Sequence, residues 1–319
     1  MGGQRLLHKI ARMYYVDELT QRDIAERLNI SMATVSRGLS RAKHDGIVEI
    51  RIHDPEAGYA ELETAIESAY GLRECVVVPS SARREQIFID MARALAELLG
   101  RTVSSGDYLG VSWGETLKAV ADHLPDTGKS GVDVVPIIGA MGEVETGIYP
   151  NAIAARFARK LGGSSYLVNT PAILDTADTS RSIRADGNFV RVLRAWEKVT
   201  TLLVGVSGLS EEDSVSKYGI ISPDELARLR EAGAVAAMNF TFIDASGSLV
   251  RTELDERMIK MDAERMRNAE NAVVVAAGAR KAPALSAALA SGMATVLVTD
   301  AEAAAALAGG TRHAGDAEY

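Results

Sequence analysis

The sequence has little of what proteins use for disulfide and metal chemistry. Its 319 residues include one cysteine, Cys75, and five histidines. A single cysteine excludes an internal disulfide and is typical of a reducing compartment. Because these six side chains never fall at the spacings of metal ligands, we expect no metal site and no cofactor.

Long apolar runs are also missing. The most apolar stretch, residues 272–298, is interrupted by Arg280 and Lys281, so no run reaches the roughly eighteen residues that a membrane helix needs. The first apolar pair, Leu6 and Leu7, is soon followed by charged residues, which is not the pattern of a signal peptide. We therefore expect a cytoplasmic protein with no membrane partner.

Positive charge is scarce except near the start of the chain. Residues 1–53 hold nine Lys and Arg against six Asp and Glu, a net charge of +3. The whole chain carries −8, which leaves −11 for residues 54–319. Only the first segment has the sign that a nucleic acid attracts. The length fits one large domain or two unequal ones.

The segment 20–46 predicts two short helices joined by a tight turn. Thr20 is a candidate N-cap, and Asn29 tolerates the left-handed backbone that ends the first helix. Ser31 is a second candidate N-cap, and Gly46 stands where a helix would stop. Two helices with such a turn form a helix-turn-helix unit.

The second helix has the composition of a DNA-reading helix. With Val35 and Leu39 in the core, its outward side chains are small, hydroxyl-bearing or basic, which suits contact with base edges and phosphates. Arg41 and Lys43 lie further along and fit phosphate neutralisation. A plain helical hairpin is the alternative, but the two caps, the glycine stop and the outward face agree with one another. The predicted DNA contacts are Thr20, Gln21, Ser31, Met32, Ala33, Thr34, Ser36, Arg37, Arg41 and Lys43.

Flanking patterns complete a small domain. Residues 6–15 predict a supporting helix, and alternation at Val48, Ile50 and Ile52 predicts a short strand, the wing of a winged helix. Pro55 and Gly58 mark a joint. We expect a winged helix-turn-helix DNA-binding domain over residues 1–54 and a larger domain over residues 55–319.

The larger domain has the sequence pattern of an α/β fold. After a connector helix at 61–70, apolar strands alternate with amphipathic helices, which indicates a parallel sheet covered on both faces. Residues 309–319 are expected to fray. The predicted strands are 74–79, 108–112, 132–139, 165–169, 201–206, 234–240, 271–278 and 295–300, and the predicted helices are 84–99, 116–124, 151–161, 283–290 and 301–307.

Ligands of such folds bind at the carboxyl ends of the strands. Three loops there have small residues or a cation, at 110–116, 139–142 and 278–281, and Asn151 and Asp244 could add polar groups. The predicted ligand contacts are Gly110, Ser112, Trp113, Gly114, Glu115, Thr116, Gly139, Ala140, Met141, Asn151, Asp244 and Lys281.

The same loops partly match two catalytic or cofactor-binding motifs. Residues 110–114 match G-x-S-x-G, the nucleophile elbow of α/β hydrolases, but neither His123 nor His313 is placed to serve as the base. The glycine-bearing loops also lack the acidic residue of a dinucleotide fingerprint.

The chain resembles the SorC family of bacterial sugar-responsive transcriptional regulators. The resemblance lies in residues 11–52 and, downstream and in the same order, in GVSWGETL, VPIIGAMGE, PNAIAARFARKLGG, LLVGVSGL and AAGARKAPALSAAL. It implies an effector domain similar to glucosamine-6-phosphate deaminase and ribose-5-phosphate isomerase, used as a sensor without turnover. Gly114 and Thr116 would hold phosphate or sugar hydroxyls, with Asp244 and Lys281 at the polar end of the ligand. Met32 departs from the family, which often has Arg there.

The resemblance thus implies a DNA-binding regulator that works as a homodimer or homotetramer on a double-stranded operator. Its effector would be a sugar phosphate, a sugar or a polyol. Two alternatives stay open: a sugar-phosphate isomerase or deaminase with an added DNA-binding domain, and a structural DNA-binding protein without an effector.

Overall fold

The computed structural model describes residues 2–48, 58–141 and 146–315. The chain divides into two compact units, residues 1–58 and residues 59–319. The domain boundary expected at residues 54 and 55 lies outside the described residues. No helix in the described ranges is long and apolar enough to cross a membrane.

The small unit is built from three helices. They are α1 (Gly2–Tyr15), α2 (Gln21–Leu28) and α3 (Met32–His44). Gly38 lets α1 approach α3 closely, because a Cβ at that position would lie 3.0 Å from Ile10 Cδ1. The core of the unit consists of Ile10, Met13, Ile24, Ala25, Val35 and Leu39.

The ends of these helices follow the predicted signals. Thr20 accepts a hydrogen bond from the Asp23 N–H, and Ser31 accepts one from the Thr34 N–H. Asn29 and Gly46 have left-handed backbones with φ of 51° and 69°. These local predictions are confirmed. Most of the predicted wing strand, 47–52, lies outside the described residues.

The larger unit contains a six-stranded parallel sheet and a four-stranded antiparallel one. The orders are β1-β10-β9-β4-β2-β3 and β5-β6-β7-β8. In chain order the strands are β1 (Glu74–Val78), β2 (Tyr108–Val111), β3 (Asp133–Pro136), β4 (Val199–Val204), β5 (Val206–Ser207), β6 (Ala234–Met238), β7 (Thr241–Asp244), β8 (Leu249–Val250), β9 (Asn271–Val275) and β10 (Val296–Asp300).

Helices cover both faces of the parallel sheet. Alternate residues of its strands, such as Leu202 and Leu203 of β4, belong to two separate buried clusters, one on each face. Apolar burial on both faces explains the unbroken apolar strands. The helices are α4 (Ala60–Tyr70), α5 (Arg84–Thr102), α6 (Glu115–His123), α7 (Pro150–Lys160), α8 (Ala177–Ala185), α9 (Gly187–Trp196), α10 (Ser214–Lys217), α11 (Pro223–Glu231), α12 (Glu253–Glu256), α13 (Ala263–Arg267), α14 (Ala282–Ala290) and α15 (Ala301–Gly315).

The order of the strands creates one switch point. The next strand of this sheet after β2 is β3, on one side, and the next strand of this sheet after β4 is β9, on the opposite side. The connections that leave the neighbouring strands β2 and β4 therefore diverge. Open α/β sheets bind ligands at such a point, beyond the carboxyl ends of the strands.

Three predictions about this unit were wrong. Residues 165–169 form no strand beyond an isolated parallel bridge from Ser165 to Val134, because the Asn151 side chain bonds both the N–H and the C=O of Val168 in place of a strand partner. Residues 309–315 continue α15 instead of fraying. Within residues 234–240, β6 belongs to the antiparallel sheet and not to the predicted parallel sheet. Because β6 is also largely buried on both faces, its sequence is as apolar as that of a parallel strand.

Candidate functional site

A cavity of about 140 Å³ lies in the larger unit at the carboxyl ends of β2 and β4. It therefore occupies the switch point of the sheet. Its lining residues come from the segments that follow the strands and from the starts of helices: Arg84, Trp113, Gly114, Glu115, Thr116, Leu117, Gly205, Val206, Ser207, Glu212, Asp213, Ser214, Val215, Lys217, Ala237, Asn239, Phe240, Arg280 and Lys281.

The first turn of α6 forms one wall of the cavity. Gly114 precedes the helix with φ of 120°, a backbone that glycine adopts without strain. The first N–H groups of a helix have no partner within it and carry a partial positive charge. Thr116 is buried, and within the described part of the chain no group bonds its hydroxyl. This wall offers unused donors to a ligand.

Two cations in the cavity have no carboxylate partner among the described residues. Lys281 Nζ donates to the Val206 backbone oxygen at 3.1 Å. Burial lowers the pKa of the Lys281 ammonium, the nearby positive charge of Arg84 lowers this pKa further, and the carboxylates of Asp213 and Glu115 act in the opposite direction. The guanidinium of Arg84 lies 5.4 Å from the Phe88 ring centroid. Two neighbouring positive charges, neither in an ion pair with a described carboxylate, favour an anionic ligand.

The other cations of the cavity are paired. Lys217 Nζ lies 2.8 Å from Glu115 Oε1, which also accepts a hydrogen bond from the Tyr218 hydroxyl. The hydrogen bond from Lys217, followed by that from Tyr218, holds the pKa of the Glu115 carboxyl below its usual range. Arg280 approaches Glu212 and Asp213 at 3.5 and 3.4 Å. These pairs leave Arg84 and Lys281 as the lining cations that form no ion pair with a described carboxylate.

Ser112 is held in the floor beneath the cavity. Its hydroxyl donates to Asn239 Oδ1 at 2.8 Å, and Asn239 Nδ2 donates to the Ile137 backbone oxygen at 3.2 Å. Both side chains are buried. His123 lies at the other end of α6, 3.8 Å from Glu85. Ser112 therefore has the contacts of a structural residue and not those of a nucleophile with a histidine base.

The outward face of α3 is the second candidate site. Met32, Ala33, Ser36 and Arg37 are exposed, and Thr34 is half-buried. A helix that follows a tight turn and presents such a face is suited to the major groove. Further along the helix, Arg41 and Lys43 are exposed, and Arg41 Nε lies 3.2 Å from Asp45 Oδ2.

Comparison with known proteins matches both units to families. Residues 54–308 match the Sugar-bind family of sugar-binding domains, and residues 4–57 match the Crp-like helix-turn-helix domain. The deoxyribonucleoside regulator of Bacillus subtilis (strain 168) is 32% identical over 95% of this chain and 97% of its own. The sorbitol operon regulator of Klebsiella pneumoniae is 31% identical over 94% and 96%. The crystal structure of the full-length Klebsiella pneumoniae SorC protein superposes with a TM-score of 0.74, at 30% identity, over 95% of this chain and 98% of that one.

The chain belongs to the SorC family of sugar-responsive transcriptional regulators. The predicted fold class is confirmed: a helix-turn-helix unit precedes a larger α/β unit with a parallel sheet. The predicted function is confirmed as well, because relatives over nearly the whole length are transcriptional regulators. This SorC-family chain is therefore a DNA-binding regulator with a sugar-type effector.

The structure brings part of the predicted ligand set together. Trp113, Gly114, Glu115, Thr116 and Lys281 all line the cavity. Trp113 also stacks on Phe240, with 5.3 Å between ring centroids, and this places an aromatic wall beside the first turn of α6.

Two predicted glycines are not among the lining residues of the cavity: Gly110 lies within β2 and Gly139 lies in the segment after β3. A Cβ on Gly110 would come within 2.6 Å of Leu202, and one on Gly139 would lie 2.7 Å from the Ala172 backbone. Close packing therefore accounts for both residues. The remaining separated residues are Ser112 in the floor, Ala140 bridged to Pro171, Met141 in a buried core, Asn151 bonded to Val168, and Asp244 at the end of β7.

Sequence reasoning missed several cavity residues. Arg84 begins α5, and its role could have been suspected from its place after a buried strand. Asp213 and Lys217 lie in a segment without hydrophobic periodicity, so no sequence signal marked them. Asn239 has φ of 49°, an unusual conformation for a residue other than glycine that a sequence does not reveal. The described residues contain no cluster of His, Cys, Asp or Glu able to hold a metal ion.

Proposed function

We propose that the cavity at the switch point is the effector site and that the effector is a phosphorylated sugar. The observation that carries this proposal is that Arg84 and Lys281, two neighbouring cations beside the first turn of α6, form no ion pair with a described carboxylate. A phosphate satisfies both cations and accepts hydrogen bonds from the free helical N–H groups.

The rest of the cavity suits sugar hydroxyls. Glu115 and Asp213 are carboxylates that accept hydrogen bonds, and Thr116 provides an unpaired hydroxyl. Trp113 and Phe240 form an apolar wall against which a sugar ring can pack. A neutral sugar or polyol would bring no negative charge to these two cations, so we favour the phosphorylated form.

For the small unit we propose that α3 enters the major groove of an operator. Ala33, Thr34, Ser36 and Arg37 would face base edges, and Thr20, Gln21, Ser31, Arg41 and Lys43 would contact phosphates. The division into residues 1–54 and 55–319 assigns DNA binding to the first part. The regulator would act in the cytoplasm, as a dimer or tetramer on a partly palindromic site.

Effector binding would be transmitted through the connector helix α4. We propose that a ligand in the cavity changes the spacing between paired DNA-binding units by way of this helix. A differential affinity of a few kcal/mol for the two arrangements is enough to shift operator occupancy strongly.

The enzyme alternative is not favoured by the relatives, which carry the names of regulators. We propose that the cavity binds its ligand without turnover. Incubation of pentose and hexose phosphates with the purified protein, followed by analysis of the products, tests this point. Recovery of an isomerised or deaminated product would contradict it.

A thermal-shift screen tests the assignment of the effector. Matched pairs of sugars and their phosphates would be added to the wild type, to Arg84→Ala and to Lys281→Ala. We expect at least one sugar phosphate to raise the melting temperature of the wild type, with its free sugar weaker and both variants unresponsive. Equal shifts for a sugar and its phosphate would show that the two cations do not bind a phosphate.

A further inference from the structure

The first turn of α3 exposes a large apolar side chain, which is unusual at the start of a helix that faces water. Met32 is the first residue of the helix, directly after the N-cap Ser31, and its side chain is 55% exposed. The next residue, Ala33, is exposed too. The leading edge of the proposed recognition helix is thus apolar.

The polar neighbours of Met32 are already engaged within the unit. Ser31 Oγ accepts the Thr34 N–H at 3.1 Å and lies 2.8 Å from the Thr34 hydroxyl. Arg37 Nε donates to the Ala33 backbone oxygen at 3.2 Å. Met32 contributes a long, flexible side chain that belongs to none of these contacts.

The chemistry of the major groove limits what an apolar side chain can recognise. Each base pair presents hydrogen-bond donors and acceptors there, and thymine alone adds a methyl group, at C5. A thioether is soft and adaptable, so it packs readily against a methyl group. It has no strong hydrogen-bonding group with which to read guanine, cytosine or adenine.

We infer that Met32 is a specificity-determining residue that recognises thymine by its C5 methyl group. The inference rests on the proposed use of α3 as the recognition helix and deepens it. The small side chain of Ala33 beside Met32 allows the helix start to come close to the base edge. The operator half-site then contains a thymine at the position that faces the first turn of α3.

Removal of single methyl groups from the DNA tests the inference. A duplex would be selected from a randomised library by the full-length wild-type protein, and each thymine in turn would be replaced by uracil. The replacement deletes the methyl group and leaves every hydrogen-bonding group in place. We expect one position in each half-site at which uracil weakens binding by about fourfold, as for the loss of one buried methyl group.

Variants of the full-length protein assign the effect to its side chain. Met32→Ala should bind thymine and uracil duplexes equally at that position, while Met32→Leu should keep the preference for thymine. Val16→Ala is the matched control, because Val16 is an exposed apolar residue (70%) of the same unit that lies outside α3. It should leave the uracil profile unchanged.

The outcomes separate this inference from the proposed function. A methyl-sensitive position that disappears in Met32→Ala and persists in Met32→Leu supports it. Tight binding with uracil tolerated at every position would overturn it and leave DNA recognition by α3 intact. A methyl-sensitive position that persists in Met32→Ala would overturn it as well. Failure to select any duplex would overturn both proposals.

Discussion

Two helix starts in this protein face opposite surroundings. The first turn of α3 carries Met32 on an open surface, at 55% exposure, whereas the first turn of α6 carries Thr116 in a cavity wall, at 5% exposure. Both turns follow a residue outside the helical conformation, Ser31 in one case and Gly114 in the other. We propose that one of these helix starts contacts DNA and that the other contacts a small ligand.

The difference lies in where the charges are. Around α3 the cations are exposed, and Arg41 is paired with an aspartate of its own helix end. Around α6 two cations share an enclosed space and form no ion pair with a described carboxylate, and burial lowers the pKa of Lys281. Exposed charges act on a polyanion over a long range and are screened by salt, whereas enclosed charges act on one ligand at short range.

The largest effect is expected when one enclosed cation is removed, and it should change effector binding without changing operator binding. Lys281→Ala should weaken effector binding by about 2–3 kcal/mol, because a charged donor to the phosphate is lost in a shielded site. Operator affinity without effector should stay within about 0.5 kcal/mol of wild type. Calorimetry with the effector and fluorescence anisotropy with the operator measure the two quantities. Lys160→Ala, at the exposed end of α7, is the control and should change neither.

The converse substitution acts on the open helix start. Arg37→Ala should weaken operator binding by about 1–3 kcal/mol if the guanidinium reads a base, with effector affinity unchanged. A loss that is uniform across operator sequences and accompanied by a smaller salt dependence would assign Arg37 to phosphate instead. Arg22→Ala serves as a matched variant, since Arg22 is exposed and paired with Glu26 in the same unit.

The enclosed site should also depend on pH in a direction set by Lys281. Because an anionic ligand favours the charged ammonium, effector affinity should fall as the pH rises through the lowered Lys281 pKa, which lies below the ordinary value of about 10.4. The fall is at most about tenfold per pH unit. Calorimetry between pH 7 and pH 10 measures it, and a flat profile for the wild type would count against Lys281 as a ligand contact.

Lys281→Arg is the control for this profile, because arginine keeps its charge over the whole range. The stability of the ligand-free protein should depend on pH in the opposite direction to effector affinity. In the unfolded chain Lys281 keeps a pKa near 10.4, so that state binds more protons in the window between the two pKa values. The contribution of this group to stability therefore rises with pH there.

The smallest expected effect concerns the scaffold of the open site. Ser31→Ala removes the hydrogen bond that caps α3 and should destabilise the small unit by about 1 kcal/mol. Thermal unfolding followed by circular dichroism measures the change. Ser40→Ala, at an exposed position in the middle of α3, should be neutral. A larger loss in the control than in the cap variant would contradict the assigned role of Ser31.

The two regions also differ in how far the sequence predicts them. The helix starts and stops of the small unit depend on single residues and their near neighbours, so Thr20, Asn29, Ser31 and Gly46 could be recognised directly. The parallel strands were recognisable because burial on both faces leaves unbroken apolar runs. The antiparallel strand β6 has the same apolar sequence pattern, so its pairing partners could not be inferred from the sequence.

The cavity was harder to predict because its residues meet only after folding. Gly114 and Thr116 follow a strand and could be placed by rule, but Arg84 and Lys217 come from segments more than a hundred residues apart. Small residues at other strand ends misled the prediction, since Gly139 serves close backbone packing against Ala172. A glycine in a loop has the same appearance in the sequence whether it approaches a ligand or its own chain.

We propose that the cavity and the operator-binding surface are coupled within one chain. The most direct test measures operator affinity with and without a saturating sugar phosphate, and sugar-phosphate affinity with and without operator DNA. We expect both affinities to change by the same factor, as linkage requires, and the sugar phosphate to be recovered unaltered. A factor of one, with both ligands bound, would contradict it.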